Sequence, residues 1–297
     1  MLSKVLISFL LAGTLSLCAS SPPTGSITVG PEGQYPTLSA ALTDISSNVY
    51  FIYGTIINER VVITRPNITV YGQTSDESTY AENLATIYNN IPASAAGSGE
   101  ASATVSIHPS ATDVKLYNLN IVNTYGRGSQ AIALSINSTR FGAYGVNLTG
   151  YQDTLLTMNG LHFFSKGCIN GAVDFYVIDQ SNIIGAGKQY LGRPWRSYAR
   201  VVFQNSVLGS QIQPAGWSEW AVASPETDNI FYGEYNNTGP GAWDIARVSF
   251  ATNMTEGLTM DTVFGGSTSW VETDFLQNIH VKRSCLPTIT GILYSIH

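Results

Sequence analysis

Gly128-Ser-Gln-Ala-Ile-Ala-Leu134, Gly150-Tyr-Gln-Asp-Thr-Leu155 and Gly171-Ala-Val-Asp-Phe175 follow one another at nearly constant intervals. Gln130 precedes Gln152 by 22 residues, and Asp153 precedes Asp174 by 21. A period of about twenty residues with three short strands per period is the requirement of a parallel β-helix coil. No coil buries its own inner face; stacking on its neighbours does so. Short alternating runs elsewhere agree: Asn67–Tyr71, Asp113–Val122, Ala143–Leu148 and Arg200–Gln204 are β-branched or aromatic and end at Gly, Asn or Thr. A sandwich or barrel is the alternative on pattern alone.

One helix is expected, early in the chain. Leu38, Ala41, Leu42 and Ile45 recur at helical spacing just after Pro36, so Thr37–Ile45 reads as a short helix capping the open end of the solenoid. Composition fits this fold class, all-β with a small cap. Of 297 residues only 11% are charged, while 28 are glycine. Helix bundles, coiled coils and disordered chains need a different mixture. The net charge is −6, so no basic surplus exists to neutralise phosphates and no nucleic-acid partner is expected.

The first 20 residues read as a secretory signal. Lys4 is followed by the low-polarity run Val5–Leu17, then by the small residues Ala19-Ser20-Ser21. Thirteen helical residues reach only about 20 Å, short of a bilayer core of about 30 Å, so no membrane association is expected after cleavage. A secreted, monomeric protein is the expectation. Sequons at Asn67, Asn137, Asn147, Asn236 and Asn253 make these five the glycosylation candidates. Cys168 and Cys285 remain after the signal leaves, either bridged or free.

Stacked coils would bring Asp153 and Asp174 to about 4.8 Å, the spacing of neighbouring strands. Two carboxylates so close cannot both ionise easily, and their pKa values split into an acid and a base. Gln130 and Gln152 would offer amide donors beside them, and Arg193 a fixed cation. A ladder of Asp and Gln that only satisfies turns is the plainer explanation, and two Asp, two Gln and an Arg at coil spacing weigh against it. No metal or other cofactor is called for.

The three segments Gly128–Leu134, Gly150–Leu155 and Gly171–Phe175, with Tyr190-Leu-Gly-Arg-Pro-Trp195 as a fourth, resemble the signature blocks of the pectin methylesterases of fungal type, carbohydrate esterases built on a right-handed parallel β-helix. The likeness extends through Gly33–Thr37, Tyr117–Tyr125, Ala215–Trp220 and Tyr232–Ala242. It implies that the substrate is methyl-esterified homogalacturonan. It also implies that Asp174 is the nucleophile, that Asp153 is the acid and then the base, and that Gln130 and Gln152 stabilise the oxyanion. Arg193 would keep the nucleophilic carboxylate ionised, and Trp195 and Trp217 would stack on sugar rings.

The chain departs from this pattern twice. Phe175 runs directly into Tyr176-Val-Ile-Asp-Gln-Ser-Asn-Ile-Ile184, where the family has further coils, and residues 277–297 lie beyond the family's end. The β-helix is thus expected over residues 25–276, followed by an unmatched tail, either disordered or an artefact of the gene model. A shortened site leaves an inactive or merely pectin-binding paralogue as the alternative. Polygalacturonases and pectate lyases are the rivals on the same fold. The chain has neither an Asp-Asp pair nor a Gly-His-Gly for the first, and no acidic calcium cluster for the second. It also has no Gly-x-Ser-x-Gly for a serine esterase.

Overall fold

The computed structural model describes residues 20–170, 177–183, 187–194, 199–264, 268–272 and 289–295. The expected signal segment falls outside them except for Ser20. So do Asp174 and Trp195.

The strands β1 (Ile27–Val29) and β2 (Val49–Ile52) open the solenoid, with α1 (Leu38–Ala41) between them. The next strands are β3 (Ile56–Asn58), β4 (Val61–Ile63), β5 (Thr69–Gly72) and β6 (Ala85–Asn89). The helices α2 (Ala93–Ala96) and α3 (Gly99–Ser102) precede β7 (Val105–Ile107), β8 (Lys115–Tyr117) and β9 (Leu119–Asn123). The following coil is β10 (Leu134–Ile136), β11 (Phe141–Tyr144) and β12 (Asn147–Thr149). Then come β13 (Leu155–Thr157), β14 (His162–Asn170), β15 (Val177–Ile183), β16 (Arg200–Gln204), β17 (Val207–Leu208), β18 (Phe231–Tyr235) and β19 (Ala251–Asn253). The last elements are α4 (Met260–Phe264) and β20 (Ile289–Ser295).

Strands stack in parallel on three faces, and the chain is a right-handed parallel β-helix. One face is β4, β7, β10 and β13; a second runs through β5, β8, β11 and β14; the third is β3, β6, β9 and β12. The interior is built of in-register ladders. Ile57, Ile87, Ile121, Leu148 and Ile169 lie one above another and are all buried. Each such side chain contributes about 1.5–3 kcal/mol of transfer free energy, which no isolated coil could realise.

Corners are made by single left-handed residues. Tyr117 pairs with Tyr144 and Tyr144 with Ser165, so Asn118, Gly145 and Lys166, all at positive φ, stack at one bend. These bends split Asp113–Val122 and Ala143–Leu148, each expected as one strand, into strands on two faces. A Cβ on Gly145 would sit 2.6 Å from Asn118 Nδ2, so a side chain there would have to displace the Asn118 amide. Asn159-Gly160, a hairpin dipeptide in other contexts, here turns the corner between β13 and β14.

The coil length is less regular than the sequence implies. Leu134 pairs with Leu155, 21 residues on, yet Val61 pairs with Val105, 44 residues on. The added length forms excursions such as α2 and α3. The α1 helix is also shorter than its periodicity predicts. Thr37 caps it by accepting from Ala40 N at 3.2 Å, but Leu42 already ends it. Asp44 accepts instead from Ser46 N at 2.9 Å, and Ile45 is 74% exposed.

The tail contains an element that the sequence did not announce. β20 lies antiparallel between β14 and β15, in a sheet otherwise parallel. Tyr294 pairs with Phe163 on one side and Val177 on the other. Only 171–176 link β14 to β15, too few residues to travel round a coil, and β20 occupies the strand position between them. Cys168, in β14 opposite Thr290, is disulfide-bonded.

Candidate active site

Gln130 lies where β9 turns into β10, and Gln152 and Asp153 where β12 turns into β13. Ala131 N donates to Gln152 O at 3.0 Å, and Ala133 N donates to Thr154 O at 2.9 Å. The turn carrying Gln130 therefore sits directly against the turn carrying Gln152 and Asp153. On the opposite side, Asn170 O accepts from Gly150 N at 3.0 Å and from Thr154 Oγ1 at 3.2 Å. Three successive coils thus clamp the segment Gly150–Thr154.

Asp153 has φ +58, one of the few non-glycine residues in the left-handed region. Asp tolerates this conformation better than most residues. Its carboxyl is held above the ordinary carboxylate range, chiefly because burial disfavours the charge. A hydrogen bond from the Gln130 side chain and the charge of Arg193 oppose that rise. The structure thus brings Gln130, Asp153 and Arg193 to one place, with Gln152 beside Asp153 in the chain. A carboxyl whose neutral form burial favours, beside an amide donor and a guanidinium, can give a proton and take one back, while the amide faces a developing oxyanion.

Arg193 lies 4.4 Å above the ring centroid of Trp220. Arg127 lies 5.3 Å from the ring centroid of Tyr151, two residues before Asp153. Sequence reasoning passed over Trp220, Tyr151 and Arg127. The signal for Trp220 was the second tryptophan of Trp217-Ser-Glu-Trp220.

Trp217 is corrected by the structure. Its side chain is 0% exposed, stacked on Tyr232 at 4.3 Å, with Nε1 donating to Glu234 Oε1 at 3.0 Å. Both polar and apolar parts are satisfied inside the solenoid, which leaves no ring face for a sugar. Among the described residues, no cluster of three or more His, Cys, Asp or Glu is placed to hold a metal ion. None of their helices is long and apolar enough to cross a membrane.

Fold and site together define a parallel β-helix protein with a carboxyl–amide–guanidinium cluster on its surface. The chain belongs to the pectinesterase family: the Pectinesterase family model matches residues 26–186 and 177–265. The two matches overlap just after the short join, as expected where a stretch of the family pattern is missing. The chain is 35% identical to the probable pectinesterase A of Aspergillus fumigatus over 303 residues, 86% of this chain and 91% of that protein. It is 33% identical to the pectinesterase of Aspergillus aculeatus, covering 93% of this chain and 100% of that one. The deglycosylated pectin methylesterase of Aspergillus niger superposes with a TM-score of 0.77 at 34% identity, over 86% of this chain and 97% of that structure. The carrot pectin methylesterase shares the fold, with a TM-score of 0.73 at 23% identity, over 88% of this chain and 99% of that one.

Proposed function

We propose that this protein is a secreted pectin methylesterase that hydrolyses the methyl esters of homogalacturonan to free carboxylates and methanol. The observation that carries this reading is the Gln130–Asp153–Arg193 cluster on a pectinesterase solenoid. Asp153 is the proton donor in this reading: burial raises its pKa and so favours its protonated form over that of an exposed carboxylate.

Asp174 is the nucleophile in this reading. It lies in Gly171-Ala-Val-Asp-Phe175, 21 residues after Asp153 in sequence. The Asp174 carboxylate attacks the ester carbonyl, and the oxyanion takes hydrogen bonds from Gln130 and Gln152. As the tetrahedral intermediate collapses, the C–O bond to the methoxy group breaks and Asp153 protonates the leaving methanol. Asp153, now ionised, removes a proton from water. The water attacks the acyl carbon and frees Asp174. Arg193 supports the carboxylates through its charge, and Trp195 belongs to the sugar-binding cleft.

Three sequons, Asn67, Asn236 and Asn253, are exposed and offer room for a glycan. Asn137 and Asn147 are half-buried; Asn147 Nδ2 donates to Asn120 Oδ1 at 3.2 Å and Asn236 Nδ2 to Asn205 Oδ1 at 3.0 Å, bonds that a glycan at either position would displace. A monomer secreted with the signal removed completes the proposal. The test is methanol release from highly methyl-esterified pectin by the secreted full-length protein. Binding of pectin without methanol release would identify a non-catalytic pectin-binding protein instead.

A further inference from the structure

Two arginines flank the Asp153 turn, and they are differently employed. Arg193 acts on the Asp153 carboxyl and lies on Trp220. Arg127 is exposed, rests beside the Tyr151 ring and is not among the charges that act on Asp153. The ion pairs Lys115–Glu272, Arg140–Asp113 and Arg247–Glu234 do not involve Arg127, and among the described residues no carboxylate is paired with it. In a chain with net charge −6, an acid-free arginine beside the reacting site is conspicuous by its setting.

The backbone around it is specialised. Gly126 at φ +84 and Gly128 at φ +112 bracket Arg127, so the turn is one that side-chain-bearing residues rarely adopt. The turn is anchored immediately downstream, where Ser129 Oγ accepts from Ser94 N at 3.1 Å and Gln130 O accepts from Ala93 N at 2.8 Å. Arg127 is therefore presented from a fixed base, three residues before Gln130, with an aromatic plane next to it. A planar guanidinium that already lies on an aromatic ring offers its edge to a carboxylate.

We propose that Arg127, with Tyr151, is a specificity-determining subsite that binds the free carboxylate of a uronic acid residue neighbouring the ester under attack. This rests on the esterase reading. De-esterification creates just such carboxylates along the polymer. A chain already partly de-esterified would then bind more tightly than a fully esterified one, and each turnover would prepare the next binding event.

The experiment compares Arg127→Ala and Arg127→Lys with the unmodified full-length protein. Two homogalacturonan oligomers of equal length serve as substrates, one fully methyl-esterified and one about half esterified. With the half-esterified oligomer, Arg127→Ala is expected to raise KM about tenfold with kcat little changed, the scale of one charge-assisted hydrogen bond. KM for the fully esterified oligomer should stay within about twofold of the unmodified protein, and Arg127→Lys should recover part of the loss. Equal effects on both oligomers, or none on either, would overturn the subsite. Calorimetric binding of fully de-esterified oligogalacturonate reads the same subsite without turnover. A weakening of about tenfold in Arg127→Ala supports it, and equal affinity refutes it. If the unmodified protein releases no methanol, the esterase reading fails, and this binding result still decides the role of Arg127.

Discussion

The Gln130 side chain acts on the Asp153 carboxyl across the step from one coil to the next, where Ala131 N donates to Gln152 O at 3.0 Å. That contact favours the ionised form, while burial of Asp153 favours the neutral one, and burial prevails. Removing the donor in Gln130→Ala should raise the Asp153 pKa further. If protonated Asp153 is the acid, activity falls as pH rises through its pKa, so the alkaline limb of kcat should move to higher pH. An unmoved limb would separate Gln130 from the proton donor.

The same carboxyl carries a stability signature. Its folded-state pKa lies above the unfolded value, so the folded protein binds more protons across that window. Stability is thus lost as pH rises from the ordinary aspartate pKa through the raised one. Asp153→Asn abolishes this loss, and Asn also accepts the left-handed backbone at φ +58. The variant should melt higher than the unmodified protein at neutral pH, and the gain should vanish in acid below the ordinary carboxylate range.

Glu234 and Arg247 form a bidentate ion pair, with Nε–Oε1 at 2.7 Å and the second arm at 2.9 Å. Their side chains are 1% and 2% exposed. Arg247 also donates to Pro214 O at 2.9 Å and Gly241 O at 2.8 Å, and Trp217 donates to Glu234. Arg247→Ala leaves a buried carboxylate without its counter-ion. A loss of about 3–5 kcal/mol in urea unfolding is expected, against about 1 kcal/mol or less for Arg140→Ala at the more exposed Asp113 pair.

Tyr71, Tyr117 and Tyr144 stack on the outer face of the second ladder, with centroid spacings of 4.7 and 4.8 Å. Val263 and Val271 pack over them. Burial pushes the Tyr117 and Tyr144 phenols far above the usual range, and Glu272 adds to the rise of both by its negative charge. An alkaline spectrophotometric titration should leave these phenols un-ionised until the protein unfolds. Reversible ionisation of every tyrosine near pH 10 in the folded protein would show this face to be open.

Much of the solenoid was readable because alternation and coil spacing are local properties of the chain. Coil spacing alone set the turn of Gln130 against the turn of Gln152, as the bond from Ala131 N to Gln152 O has it. The corners were harder to read. Asn118 and Gly145 turn the chain onto the next face within one residue without interrupting alternation, so the flanking runs looked continuous. Trp217 was misplaced because its partner Glu234 is 17 residues away, on another coil, where no spacing rule points. β20 was invisible because its place is set by a gap elsewhere in the chain.

That gap yields a further test. A protein ending at Leu276 lacks β20, which leaves facing edges of β14 and β15 unpaired. Amide exchange in β14 should become faster and the shortened protein should associate at lower concentration. Unchanged protection of Phe163 and Cys168 would mean that β20 adds nothing to the sheet.

The most direct test of the account is methanol release by three full-length secreted proteins: the unmodified chain, Asp153→Asn and Asp174→Asn. The account predicts release by the first, and rates lower by at least about a hundredfold in each variant, the scale of a lost acid–base or nucleophilic group. Release near the unmodified rate by either variant, or none by the unmodified chain, would contradict it.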